Sequence, residues 1–312
     1  MYRILIIADV EGWAYDRRAK AIRKYAPEDF EVDIAYIWQM CEFDFASYDL
    51  VFNIEYACTP NVKQRVRNAN SKTVLVNSHN ADHRRCLDRH EMSRKLADFI
   101  IYNNMEAYRH YGSAPGSCCI SNGVDFNDFG CDGAERRDVS LWTGSHQKGL
   151  KDFLIPLQDK CKHLQFDFHP VDGNGWDKQH GVQEDLVWPT SRMREWYNSA
   201  KIVLCCSVTD ATPNYVLEGM ACGLVPVTTR VGNAMEFGVQ GENCVFTERT
   251  IDGFKDAIEY ALENYDRMSE SAVKTISTWG WGTRSRLFYD LFRKLIEKEK
   301  VPPFTYRDFE NA

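Results

Sequence analysis

KIVLCCSVTDATPNYVLEGMACGLVPVTT, residues 201–229, carries the main architectural signal of the chain. A short apolar run, Lys201–Cys206, breaks at Ser-Val-Thr-Asp. A helical stretch follows over 213–222, and a second apolar run, Leu224–Thr229, closes the segment. Thr212 is a predicted N-cap, and Pro213 suits the first helical position, where its missing N–H costs nothing. Gly223 closes the helix as a left-handed cap. A strand, loop and helix in this order point free N–H groups and the positive end of the helix dipole at the crevice beyond the strand's carboxyl end, a place suited to phosphate.

The pattern extends in both directions. Strand-like runs are expected at 3–9, 31–38, 48–54, 72–78 and 98–104, then at 139–144 and 164–171, with helices at 14–26, from about Lys148, and near 191–200. The runs are continuous in Val, Ile and Leu rather than alternating, which predicts parallel sheets covered on both faces. The polar segment NDFGCDGAERRD (127–138) reads as an interdomain linker. The expected architecture is α/β with two Rossmann-like domains facing a cleft, over 1–130 and 136–282. An amphipathic helix within 283–312, RSRLFYDLFRKLIEKEK, ends at Val-Pro-Pro.

Composition bounds the function. The 312 residues are 44% hydrophobic and 27% charged, with net charge −7. That is an ordinary globular balance, and it disfavours a nucleic-acid or anionic-membrane partner. No apolar run reaches the length of a membrane helix. The eleven cysteines are paired in sequence or isolated, without zinc-ligand spacing, and read as reduced thiols of a cytoplasmic protein. No metal site is expected, since there is no Asp-x-Asp motif. A dehydrogenase reading fails because the first strand leads to Gly12 alone, not to a G-x-G-x-x-G loop.

Two carboxylates, Asp210 and Glu218, bracket Thr-Pro-Asn in the decisive segment. Each can accept bidentate hydrogen bonds from vicinal hydroxyls, so together they suit a sugar. For an isolated pair the plainer reading, a loop cap and a solvated helix residue, is the stronger one. The neighbouring motifs shift that balance.

DATPNYVLEGMACGLVPVTT resembles the hallmark of retaining glycosyltransferases of family 4, which have the GT-B fold: Glu, seven residues, Glu, then Ala-Met-Ala-Cys-Gly and Pro-Val. CISNGVDFNDF (119–129), WTGSHQKGLKDFLIPL (142–157) and GVQGENCVF (238–246) resemble three further family segments in the same order. The resemblance is strong over 119–260 and mostly architectural before that. It implies a metal-independent, hexosyltransferase-like enzyme that moves a sugar from a nucleotide-diphosphate donor such as a UDP- or GDP-sugar to a hydroxyl acceptor. The C-terminal helix would cross back to the first domain.

Residue by residue, the resemblance places Glu218 on the ribose hydroxyls and Asp210 on the transferred sugar, one methylene shorter than the family's Glu. It places Lys148 on the diphosphate, together with amides of Pro213, Asn214 and Tyr215. In the first domain, Gly12 matches a glycine loop near the phosphates and His79 a histidine near the reacting sugar. A lone strand-end histidine is more often structural. Ser145 stands where the family has a second diphosphate cation. Trp13, His83, Val187 and Glu236 are further candidate donor or acceptor contacts, although His83 lies in a charged stretch that also reads as a solvated face. Rival functions are a nucleotide-sugar epimerase or hydrolase on the same fold, or a protein that binds a nucleotide sugar without turnover. The acceptor class stays open among lipid, glycan, protein, small molecule and modified DNA.

Overall fold

The computed structural model describes residues 1–54, 59–68, 73–79, 91, 94–111, 116–144, 148–170 and 188–305. They form two compact units, Met1–Gly123 with Trp281–Ala312, and Val124–Gly280.

The first unit is built on six parallel strands: β1 (Tyr2–Ala8), β2 (Phe30–Tyr36), β3 (Leu50–Asn53), β4 (Val74–His79), β5 (Phe99–Tyr102) and β6 (Ser117–Cys119), in the order β2-β1-β3-β4-β5-β6. The unbroken apolar run Ile4–Ala8 is fully buried because both faces of β1 are covered. Leu5, Ile7, Val51 and Leu75 pack on one face with Met40, Phe45, Val62 and Val66. The last helix, Trp281–Ile296, belongs to this unit and packs Phe288 and Phe292 against Phe52 of β3, at 5.6 and 5.5 Å between ring centres. The Tyr289 hydroxyl donates to the Ile22 carbonyl at 2.8 Å, joining this helix to Ala14–Lys24.

The second unit repeats the plan with β7 (Arg137–Gly144), β8 (Gln165–Pro170), β9 (Ala200–Cys205), β10 (Val225–Thr228) and β11 (Val245–Phe246), all parallel and ordered β11-β10-β9-β7-β8. One face of the sheet packs Trp142, Ile202, Leu204 and Val227 with Phe153, Leu157, Phe254 and Ile258. On the other, the helix Asn214–Ala221 comes so close that a Cβ on Gly219 would lie 3.0 Å from Val203. Residues 127–138 lie inside this unit, where Arg136 donates to the Ala200 carbonyl at 3.1 Å and to Asn198 at 3.0 Å.

Both sheets have the doubly wound order in which the chain starts at an inner strand, steps outward, then crosses back to the other side. The crossing points lie between β1 and β3 and between β7 and β9, where successive connections leave on opposite faces and the strand ends open a crevice. Among the described residues no disulfide forms, and no helix is long and apolar enough to cross a membrane.

Phe292 is fully buried in the aromatic cluster. Phe292→Ala is expected to cost about 3–5 kcal/mol of stability, the usual loss for a core aromatic. Urea denaturation followed by circular dichroism checks this, and a loss under 1 kcal/mol would show that the last helix contributes little to the unit.

Candidate functional site

The crevice of the second unit is occupied by an ion pair. Lys148 follows β7 and Asp210 follows β9, and the Lys148 Nζ donates to the Asp210 Oδ2 at 2.6 Å. The carboxylate side chain is 8% exposed and the lysine side chain 36%. Burial by itself lowers the lysine pKa, but the adjacent Asp210 charge and hydrogen bond outweigh it, so the net shift is upward and the ammonium persists.

Both loops are held by tight local packing. Gly149, directly after Lys148, has φ of 108°, and a Cβ there would lie 2.8 Å from the Cys206 sulfur. Only glycine adopts this conformation without strain and admits the sulfur so closely. The Cys206 thiol reaches the Lys148 carbonyl at 3.4 Å. Arg249 fastens the same turn, donating to the Cys206 carbonyl at 2.8 Å and to Asp152 at 2.8 Å while lying over the Phe153 ring. On the Asp210 side, the Asn233 amide donates to the Ala211 carbonyl at 3.1 Å, and Gly232, with φ of 48°, abuts the Asp210 and Ala211 carbonyls.

The helix beyond Asp210 starts one residue later than its sequence suggests. Pro213 occupies the N-cap position, where its ring has no cap to offer, and Asn214 is the first helical residue. Thr212 is therefore not the cap. The C-terminus behaves as expected of glycine: Gly223 has φ of 86°, its N–H meets the Met220 carbonyl at 2.9 Å, and the Leu224 N–H meets that of Gly219 at 2.9 Å. Asn214 and Tyr215 lie in the first turn, where N–H groups have no intrahelical acceptor. The Tyr215 ring is buried behind that turn, and its phenol pKa is driven well up by burial and then by the nearby Cys205 and Asp210. Glu218 is half-buried and accepts the Tyr197 hydroxyl at 3.0 Å. Glu236, also half-buried, lies in the short helix Ala234–Phe237 that follows Gly232.

In the first unit Gly12 and Trp13 follow β1. Gly12 has φ of 81°, and its N–H is taken by the buried Asp16 carboxylate at 2.7 Å. Trp13 is half-buried. His79 ends β4 with its backbone opposite Tyr102 of β5. The His79 side chain and the whole of Ser145, His83 and Val187 lie outside the described residues. Among the described residues no cluster of three or more His, Cys, Asp or Glu side chains could hold a metal ion.

Residues 141–264 match the family described as Glycosyl transferases group 1. The chain superimposes on sucrose-phosphate synthase (tll1590) from Thermosynechococcus elongatus with a TM-score of 0.73 at 12% identity, covering 96% of this chain and 100% of that one. Fold and domain are those of a GT-B glycosyltransferase. The GT-B arrangement extends to Anabaena Alr3699/HepE, solved in complex with UDP-glucose, at a TM-score of 0.68 and 13% identity over 94% of this chain and 100% of that one. A glycosyltransferase from Rickettsia africae ESF-5 gives a TM-score of 0.69 at 13% identity, over 95% and 99%. No protein of curated function matches the chain by sequence.

Three contributors to the site escape sequence reasoning. Tyr197, Gly232 and Arg249 stand 21, 22 and 43 residues from the groups they touch. Of these, Gly232 was the most accessible, since a glycine in the loop VGNAM next to a candidate acid signals a close backbone approach. Gly232→Ala would combine a left-handed φ with contact against two backbone carbonyls. We expect a loss of about 1–3 kcal/mol. A thermal unfolding midpoint equal to wild type would mean that the Asp210 loop yields freely.

Proposed function

We propose that the chain is a retaining glycosyltransferase of the family 4 type that transfers a hexose from a nucleotide-diphosphate sugar to a hydroxyl, without a metal ion. The observation that carries this reading is the Lys148–Asp210 pair at the crossing point of the second sheet. It places a cation and a buried carboxylate where a doubly wound domain binds ligands, within the stretch that matches the glycosyltransferase family. The bound UDP-glucose of the Anabaena neighbour supports a UDP-sugar as donor.

In this reading the donor diphosphate displaces Asp210 from Lys148. The ammonium and the first-turn amides of Asn214 and Tyr215 then stabilise negative charge on the leaving group. Glu218, oriented by Tyr197, accepts hydrogen bonds from the ribose hydroxyls. Asp210, released, faces the sugar and favours positive charge at the anomeric carbon. The acceptor oxygen bonds to that carbon from the face the diphosphate leaves. The carbon–oxygen bond to phosphate breaks, and the acceptor proton passes to the departing phosphate oxygen.

Glu218→Ala is expected to weaken UDP binding by ~1.5–3 kcal/mol, about 10- to 150-fold in Kd, with the fold intact. Unchanged affinity by calorimetry would remove the ribose role.

Asp210→Asn should act oppositely on binding and turnover. It frees Lys148, so free UDP binds more tightly than to wild type, while transfer falls by about 10²-fold through loss of one preorganised charge. Calorimetry paired with nucleotide release from UDP- and GDP-hexoses separates the two effects. If the variant loses stability but keeps turnover per folded molecule, Asp210 is structural. Turnover should also survive EDTA, because Lys148 supplies the cation at the diphosphate.

A further inference from the structure

The outer strand of the second sheet is fastened to one helix by a ring stack with a titratable member. Strand alternation sends Phe166 and Phe168 of β8 towards the core and Asp167 and His169 to the opposite face. There they meet Trp188 and the helix Thr190–Asn198. His169, 7% exposed, lies against Trp188 at 3.7 Å between ring centres and 22° between planes. The Arg192 guanidinium lies 4.0 Å from the centre of the same indole. One face cannot hold both groups at that distance, so imidazole and guanidinium cover opposite faces. Trp196 stands edge-on to the His169 and Trp188 rings, at 72° and 90°, and its Nε1–H donates to Asp167 at 2.8 Å.

This clamp ends beside a donor-site group. Tyr197 follows Trp196 in the helix, and its hydroxyl donates to Glu218 at 3.0 Å. One residue thus ties the helix to β8 while the next holds the carboxylate. The arrangement suits a neutral imidazole. Among the described residues, the charged groups facing His169 are Arg192 from the helix and Asp167 from its own strand, while β7 presents the uncharged Thr143 in register. Asp167 is already engaged by Trp196. A proton on His169 therefore gains a counter-ion only if Asp167 turns away from the indole N–H. Burial first, and then Arg192, hold the His169 pKa below its ordinary value against the opposing pull of Asp167. Acid therefore works against the folded form, because the unfolded chain takes up this proton first as pH falls through the histidine range.

We propose that His169 is a positioning residue that makes nucleotide binding sensitive to acid. Its protonation draws Asp167 off Trp196, loosens the helix Thr190–Asn198 from β8 and disturbs the Tyr197–Glu218 contact. The inference rests on the donor reading, in which Glu218 takes the ribose.

The test measures UDP affinity by calorimetry for wild type, His169→Gln and His169→Phe, at about pH 8 and about pH 5.5, either side of the ordinary histidine range. Both variants keep a flat group on Trp188 and cannot titrate. The terminal phosphate of UDP also takes up a proton over this interval, and the variants report that contribution alone. At the higher pH the three proteins should bind UDP alike. At the lower pH wild type should bind more weakly than either variant by about fivefold or more, the low end of ordinary coupling between sites. Tryptophan fluorescence of the nucleotide-free proteins gives a second readout, since Trp188 and Trp196 form the stack. Wild-type emission should show an acid transition that both variants lack, and saturating UDP should move its midpoint to lower pH. An equal fall in affinity in all three proteins overturns the proposal, as does a transition that persists in the variants or a wild-type midpoint that UDP leaves unmoved. A His169-dependent transition in a protein that binds no UDP at either pH upholds the acid response of the clamp and removes the donor reading instead.

Discussion

A lysine and an aspartate held 2.6 Å apart where β7 and β9 diverge set the terms for the rest of the second unit. Withdrawing two charges from water is costly, and a pair of this kind is a weak source of stability. Yet the surrounding structure is arranged to maintain it. Gly149 admits the Cys206 sulfur, Arg249 fastens the Lys148 turn, and Gly232 brings a third loop against the Asp210 backbone. Close-packed glycines gathered around one ion pair support the ligand-site reading. The aspartate balances the ammonium. A diphosphate, carrying more charge and more oxygens, is a stronger partner for the same cation.

The proposed exchange of Asp210 for a diphosphate bears on specificity. Any anion could satisfy Lys148, but only one bearing a neighbouring hydroxyl-rich group gives the displaced Asp210 something to accept from. Glu218, eight residues on and fixed by Tyr197, offers a second carboxylate for hydroxyls. In the proposed exchange, discrimination would come from Asp210, which an anion without hydroxyls leaves with neither its lysine nor a donor.

Much of this was legible in residues 201–229. The apolar runs, the turn break and the glycine stop are local signals, and each produces its effect within one helical turn. The strand-loop-helix of 201–223 and the left-handed Gly223 follow from them. The Thr212 cap did not, because Pro213 takes the N-cap position itself and its ring carries no acceptor for the first turn. Nor could periodicity find Tyr197, Arg249 or Gly232. Hydrophobic patterning says which face of an element is buried, not which residue from another element it will meet. The ion pair itself joins positions 62 residues apart. Its two members were candidates separately, through family resemblance, and only the strand order brought them together.

The two sheets share one topology and treat charge differently at the strand ends. In the second unit the lysine's only carboxylate partner among the described residues is Asp210, a group that a better anion can replace. At the β1–β2 end of the first unit the arrangement is reversed. Asp16 is saturated by the Gly12 amide, the Tyr36 hydroxyl and Lys20, so it serves as scaffold. Asp16 also holds the Tyr36 hydroxyl, and Trp38 stacks on that ring. The two strand ends thus differ: in the second unit a lysine and an aspartate pair with each other, whereas in the first the buried aspartate is held by an amide, a phenol and a lysine.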